Sequence, residues 1–348
     1  MRIAQVSPLI ESVPPASYGG TERVVAYLTD ALVQLGHEVT LFASGDSGTS
    51  AALVPVCPRS LRLDAGCVDY LAWHVLLIER VAAAAAQFDV IHFHLAHIHL
   101  PLVRRLSTPA VTTAHGRLDL PELVPLFAEF SDSPLVSISD AQRAPLPKAN
   151  WIATIPHGLP PAQFAPRLEP GEYLAFLGRI SPEKRVDRAI AIATALGWPL
   201  KVAAKVDRVD AAYFAAEIEP LLDNPLVEFV GEIGEADKCA FLGNARALLF
   251  PIDWPEPFGL VMIEALACGT PVVAFRGGSV EEIVEPGRTG FIVDTLDEAI
   301  AATRRVETLD RRVCRETFER RFTARRMAED HVALYTRVMR ARAAHAAA

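Results

Sequence analysis

Short apolar runs alternate with segments of helical period along almost the whole chain. Arg2 to Val6 is an apolar run of strand length. Val24, Leu28, Leu32 and Leu35 then recur on one helical stripe, which Gly36 stops. EVTLFAS predicts a strand, residues from about Asp69 to Gln87 a helix, and DVIHFH the next strand. AVTTAH, PLVSIS and WIATIP predict three more short strands. The second half restarts the alternation with YLAFLG as a strand, VDRAIAIATAL as a helix and PLKVAAKV as a strand. Residues 209–222 read as helical, PLVEFVG as a strand, residues 235–243 as a helix and ALLFP as a strand. PVVAF and GFIVD are the last strands before Arg-rich helices run to the C-terminus. Strands separated by helices imply an α/β protein with doubly wound parallel sheets, here two in succession.

Between Pro156 and Gly171 the prolines Pro156, Pro160, Pro161, Pro166 and Pro170 leave no periodic pattern, which places an interdomain linker there. The expected organisation is a first domain over 1–160, a second over 161–322 and a closing helix over 323–348. A length of 348 residues suits two such domains.

Composition narrows the classes of function. With 51% hydrophobic residues the chain is not disordered, and a formal net charge of -8 gives no global basic field for nucleic acid. Cys57, Cys67, Cys239, Cys268 and Cys314 are scattered without C-x-x-C spacing, so neither a zinc site nor a disulfide framework is indicated. That pattern, and an N-terminus MRIAQVSPLIES that reads as a strand, give the expectation of a cytoplasmic protein. No run approaches the ~18 apolar residues of a membrane span. Residues 1–160 carry ten Lys/Arg against fourteen Asp/Glu. Arg304 to Arg342 carries twelve Arg against six Asp/Glu. Dispersed among acids and alanines, these arginines read as solvated helix faces, so peripheral membrane contact is not favoured.

The chemistry concentrates between Phe250 and Gly278, FPIDWPEPFGLVMIEALACGTPVVAFRGG. Glu256 stands in a Pro-rich turn before a short helix, and Glu264 lies within it. Pro257, Phe258, Gly259 and Leu260 form the helix start, where main-chain N–H groups and the macrodipole favour an anion. Leu260, Ile263, Glu264 and Ala267 share one face, an apolar stripe containing a carboxylate. A buried carboxylate needs hydrogen-bond donors, and a ribose diol would supply them.

Four more loops follow strands. In SYGGTERVV, Gly19 and Gly20 allow close backbone approach to a phosphate, with Thr21 as a cap for a helix beginning near Glu22. Glu22 and Arg23 read as first-turn residues that solvent can reach. In FLGRISPEKRVDRAI, Arg179 ends a strand and Lys184 opens a helix. The guanidinium fork and the ammonium can meet a diphosphate and its growing negative charge. The bland alternative is a surface Arg and Lys paired with Glu183 or Asp187. Arg185 and Arg188 read as surface or helix charges. VTTAHG places His115 at a strand end before Gly116. In VEFVGEIGEADK, Gly231, Glu232 and Ile233 form a strand-end turn. His92, His94, His97 and His99 lack a carboxylate partner and helical spacing, so they read as acceptor-pocket or packing residues and not as zinc ligands.

The PEPFGLVMIEALACGTPVVAFRGG segment resembles the E-x7-E signature of the retaining family 4 glycosyltransferases. The string from Gly178 to Lys184 resembles their G-R-x-x-x-x-K phosphate motif. The resemblance covers nearly the whole chain and is strongest over 171–293. It implies the GT-B architecture, two Rossmann-like domains facing each other across a cleft. It implies a nucleotide-diphosphate sugar as donor, a small-molecule or glycan acceptor, and no cofactor or metal. It places Gly19 and Gly20 at the donor diphosphate, His115 near the donor sugar, and the main chain of Gly231, Glu232 and Ile233 at the base. Arg179 and Lys184 fall on the diphosphate, Glu256 on the sugar hydroxyls and Glu264 on the ribose. The expected catalytic set is Glu256, His115, Arg179 and Lys184. The C-terminal FTARRMAEDHVALYTRVMR resembles the helix that crosses back to the first domain. A nucleotide-sugar 2-epimerase of the same architecture and an inactive donor-binding subunit are the alternatives. No G-x-G-x-x-G follows the first strand to support a dehydrogenase.

Overall fold

A computed structural model describes residues 1–16 and 19–347; Ser17 and Tyr18 of the SYGG turn, and Ala348, lie outside the described residues. The chain divides into two compact units. The first comprises Met1–Gly158 with Ala324–Ala348, and the second Leu159–Thr323.

The first unit holds a seven-stranded parallel sheet of β1 (Arg2–Val6), β2 (Glu38–Ala43), β3 (Ala52–Pro55), β4 (Val90–Phe93), β5 (Ala110–Thr113), β6 (Leu135–Ser137) and β7 (Trp151–Thr154). Their spatial order is β3-β2-β1-β4-β5-β6-β7. The short edge strand β3, ALVP, was not expected, because four residues on an edge carry too little apolar pattern to stand out. The central β1 is buried from Ile3 to Val6, as a parallel strand covered on both faces must be. Gln5 is therefore a polar side chain in the middle of a core strand. The helix Ala324–Ala347 packs on the helix Gly20–Gln34 within this unit.

The second unit holds a six-stranded parallel sheet of β8 (Tyr173–Ile180), β9 (Leu200–Val206), β10 (Val227–Gly231), β11 (Ala245–Phe250), β12 (Val272–Phe275) and β13 (Gly290–Val293), in the order β10-β9-β8-β11-β12-β13. Leu174, Phe176, Val202, Leu249 and Val273 form its core with Ile190 and Ala193 of the helix Val186–Leu196. The expected helix over 209–222 is broken into 3-10, α and π turns from Arg208 to Leu221. Pro220 lacks the N–H that would continue a regular helix there.

Both sheets reverse direction at their first strand. The chain leaves β8 toward β9 and β10, then returns to the other side with β11. The crevice outside the carboxyl ends of two such strands is where open α/β sheets bind ligands. In the second unit those ends are Ile180 of β8 and Phe250 of β11, so Arg179, Lys184 and Glu256 fall at the switch point.

Candidate active site

Three loops meet at that switch point. The Ser181–Arg185 turn follows β8, the Asp207–Asp210 turn follows β9, and the Pro251–Gly259 loop follows β11. Lys184 closes a 3-10 turn, Pro182–Lys184, instead of opening the helix. Arg185 takes a left-handed conformation, φ 52, and the helix starts at Val186. From this turn Lys184 reaches across to Glu256, with which it forms a direct ion pair. Trp254 Nε1 donates to the same Glu256 oxygen at 3.0 Å, and the Lys184 ammonium lies 5.1 Å from the Trp254 ring centre. Glu256 is 9% exposed, so its charge is shared with two donors in a largely dry place.

Arg179 pairs with Glu183 at 2.6 Å, with Asp210 at 3.6 Å and with Asp207 at 3.8 Å. The bland pairing with Glu183 is thus present, within a larger cluster of acids from two loops. Arg185 and Arg188 are not idle surface charges. Both pair with Asp253, at 2.9 and 3.2 Å, and Arg188 donates to the carbonyls of Pro251 and Ile252. They brace the loop that carries Glu256 from its β11 side.

The glycine pair after β12 braces it from the other. A Cβ on Gly278 would stand 2.1 Å from the Glu256 carbonyl oxygen and 2.4 Å from its nitrogen, and Gly278 has φ +54. Ser279 N donates to that carbonyl at 2.9 Å, and Ser279 Oγ to the Phe258 carbonyl at 2.7 Å. Gly278→Ala therefore forces the Glu256 backbone to move as well as straining its own. The expected result is a folded protein with transfer activity lowered at least about tenfold and stability lowered by about 1–3 kcal/mol. Chemical unfolding and initial rates check this, and a variant with wild-type rates would detach Gly278 from the site.

The helix after this loop is Leu260–Ala267, with Gly259 as its cap. It is buried from Met262 to Ala267, nearly all round, where a single apolar stripe was expected. Glu264 is 2% exposed, and Lys238 donates to it, with Nζ 3.1 Å from Oε1. Sequence reasoning missed Lys238. It stands on the helix Glu235–Gly243, which follows the Gly231–Ile233 turn, and also pairs with Glu235 at 3.0 Å. The only signal was a lone Lys on the inner side of a short helix. Gly231 closes β10, and Glu232 and Ile233 connect it to that helix.

Gly19, Gly20 and His115 belong to the first unit. The helix begins at Gly20 with Gly19 as its cap and no side-chain capping bond, so Thr21 does not cap it. Gly19 is packed hard, since a Cβ there would meet Pro15 at 2.8 Å. Glu22 and Arg23 are buried, contrary to the solvated reading. Burial, reinforced by Glu11, pushes the Glu22 carboxyl up to about 7. His115 follows β5, and its Nε2 lies 2.8 Å from Nδ1 of His94. Burial, with His331 nearby, pushes the His115 ring down to about 3, so it is neutral at physiological pH. His92, His94 and His99 are buried packing residues, and among the described residues no group of three or more metal-binding side chains is arranged around a point.

Two parallel α/β units, with cations and carboxylates gathered at a strand switch point, define this chain as a glycosyltransferase with the GT-B fold. It belongs to glycosyltransferase family 4: residues 18–154 match "Glycosyltransferase Family 4", and residues 162–313 match "Glycosyl transferases group 1". A glycogen synthase of Mycobacterium tuberculosis is 27% identical over 90% of this chain and 90% of its own length. AviGT4, a glycosyltransferase involved in avilamycin A biosynthesis, is 26% identical, with a TM-score of 0.73 over 97% of this chain and 98% of that one. HepE of Anabaena, solved in complex with UDP and glucose, shares the fold at 16% identity, with a TM-score of 0.74 over 97% of this chain and 99% of its own. Among the described residues no helix is long and apolar enough to cross a membrane.

Proposed function

We propose that the protein moves a sugar from a nucleotide-diphosphate sugar to an acceptor hydroxyl, with retention of configuration and without a metal ion. The observation that carries this reading is the convergence of Arg179, Lys184 and Glu256 where β8 and β11 part. A fold relative solved with UDP and glucose supports a nucleotide-sugar donor. The diphosphate competes with Glu183, Asp207 and Asp210 for Arg179, and with Glu256 for Lys184. As Lys184 turns to the phosphate, Glu256 becomes available to the hydroxyls of the donor sugar.

The bond from the anomeric carbon to the phosphate oxygen breaks, and charge grows on the leaving diphosphate. Arg179 and Lys184 stabilise that charge from fixed positions. The acceptor oxygen bonds the anomeric carbon on the same face, and its proton passes to the departing phosphate oxygen. Glu256 orients the sugar, Glu264 takes the ribose diol, and the main chain at Gly231–Ile233 takes the base. For Gly19, Gly20 and His115 the donor-side roles come from the family resemblance. The acceptor is a small molecule or a glycan.

Lys184→Ala is expected to weaken nucleotide-diphosphate binding by about 1.5–3 kcal/mol, roughly tenfold to a hundredfold. Calorimetric titration with nucleoside diphosphates checks it, and unchanged affinity in a folded variant rejects the role. Because the protein supplies both cations, transfer is expected to survive EDTA. Activity abolished by the chelator and restored by manganese would overturn the metal-free mechanism.

A further inference from the structure

A continuous hydrogen-bond chain runs through the core of the first unit. Thr113 Oγ1 lies 2.7 Å from His92 Nε2, and His92 Nδ1 lies 2.7 Å from the Tyr335 hydroxyl. Gln5 Nε2 donates to that hydroxyl at 3.2 Å, and Gln5 Oε1 lies 2.7 Å from His94 Nε2. His94 Nδ1 meets His115 Nε2 at 2.8 Å. Gln5, His92 and Tyr335 are fully buried, and His94 is 3% exposed.

A neutral imidazole has one N–H and one lone pair, so the direction of one bond fixes the next. The Gln5 carbonyl can only accept, so His94 donates from Nε2 and accepts at Nδ1. His115 must then donate from Nε2, which leaves its Nδ1 as a bare lone pair. That Nδ1 is buried and has no hydrogen-bond partner. The reverse direction needs the Gln5 amide turned over and would leave His115 with a buried, unpartnered N–H. Orphaned buried donors are rarer in proteins than under-used acceptors, which favours the first direction.

We propose that Gln5 is a positioning residue for His115: through His94 it holds His115 in the neutral tautomer with Nε2 protonated and Nδ1 bare. Any part His115 takes in transfer rests on the proposed function; the tautomer lock does not. His115 thus carries an acceptor at Nδ1, and is neither a cation nor a proton donor there.

Two-bond proton–nitrogen correlation on the full-length protein labelled with 15N-histidine tests this, with His115→Asn identifying the His115 signals. Without ligand, Nε2 of His115 is expected to be protonated and Nδ1 bare. The opposite tautomer, or an average of the two, overturns the proposal. Gln5→Leu is expected to give averaged His115 tautomers and to lower kcat by about tenfold, one hydrogen bond's worth, while affinity for the nucleoside diphosphate alone stays unchanged. Gln5→Glu keeps an acceptor for His94 and is expected to restore the wild-type tautomer; averaged tautomers there overturn the lock.

Discussion

Lys238→Met is expected to cost about 3–5 kcal/mol at neutral pH, because it strips a charged donor from a carboxylate that stays buried. Lys238 is 7% exposed and Glu264 is 2% exposed, so water does not replace the ammonium. Methionine fills much of the lysine's volume, which keeps the loss electrostatic and not a matter of packing. The double variant Lys238→Met with Glu264→Gln is expected to recover most of the loss, since no charge is then left unpaired. Urea unfolding of the single and double variants measures the coupling. A single variant within about 1 kcal/mol of wild type would mean that Glu264 finds another partner. On the ribose role proposed for Glu264, the single variant is also expected to bind nucleotide poorly, because the carboxylate is no longer held in place by Lys238.

Acid is expected to unfold the first unit ahead of the second. His92, His94, His99, His115, His157 and His331 all lie in the first unit, and burial holds each ring below its ordinary range. His99 and His115 are brought to about 3, and His331 to about 4. In the unfolded chain these groups take up protons near pH 6.5. The unfolded state then binds more protons than the folded one, so this stability is present above that pH and is lost as pH falls. Each fully titrating ring contributes about 1.4 kcal/mol per pH unit. Three of them would remove about 8 kcal/mol over two units, comparable to a whole domain's stability. Glu22 has the opposite sign: its raised carboxyl favours folding in acid, and that contribution is lost as pH rises through about 7. One group does not offset six. Hydrogen exchange between pH 7.5 and pH 5 should show protection lost in residues 1–158 and 324–347 while residues 159–323 stay protected. Equal protection in both would sink the argument.

Among the described residues twelve of the thirteen strands and their alternation with helices were legible as apolar runs, and for the inner strands the cause is that a strand covered on both faces has little choice of composition. The strand β3 was not legible, since its four residues are at most half-buried and too few to show a pattern. The candidate site was legible where its parts lie close in sequence, as with Glu256 and Glu264 on one loop and helix. It was not legible where fold brings distant residues together. Lys238 finds Glu264 across 26 positions, and Gln5 finds Tyr335 across 330. Helix period and turn chemistry are local signals and do not reach such pairs. The ion pair between Lys184 and Glu256 depends likewise on β8 and β11 being neighbours in the sheet. The Gly277-Gly278 pair was in plain view, but its reason, the backbone of Glu256 pressed against it, belongs to tertiary structure.

The first unit is assembled from both ends of the chain, whereas the second is one uninterrupted segment. On the ribosome this inverts the order of completion. The unit begun first waits for the helix Ala324–Ala347, whose Tyr335 hydroxyl completes the buried chain at Gln5 and His92. Until that helix emerges, β1 and β4 hold polar side chains in their interior with no partner from the missing element. The second unit has everything it needs by Thr323. A nascent polypeptide stalled before Ala324 therefore carries a finished second unit and an unfinished first one. Chaperone contact during synthesis is expected to concentrate on the N-terminal strands and to be released only with the last helix.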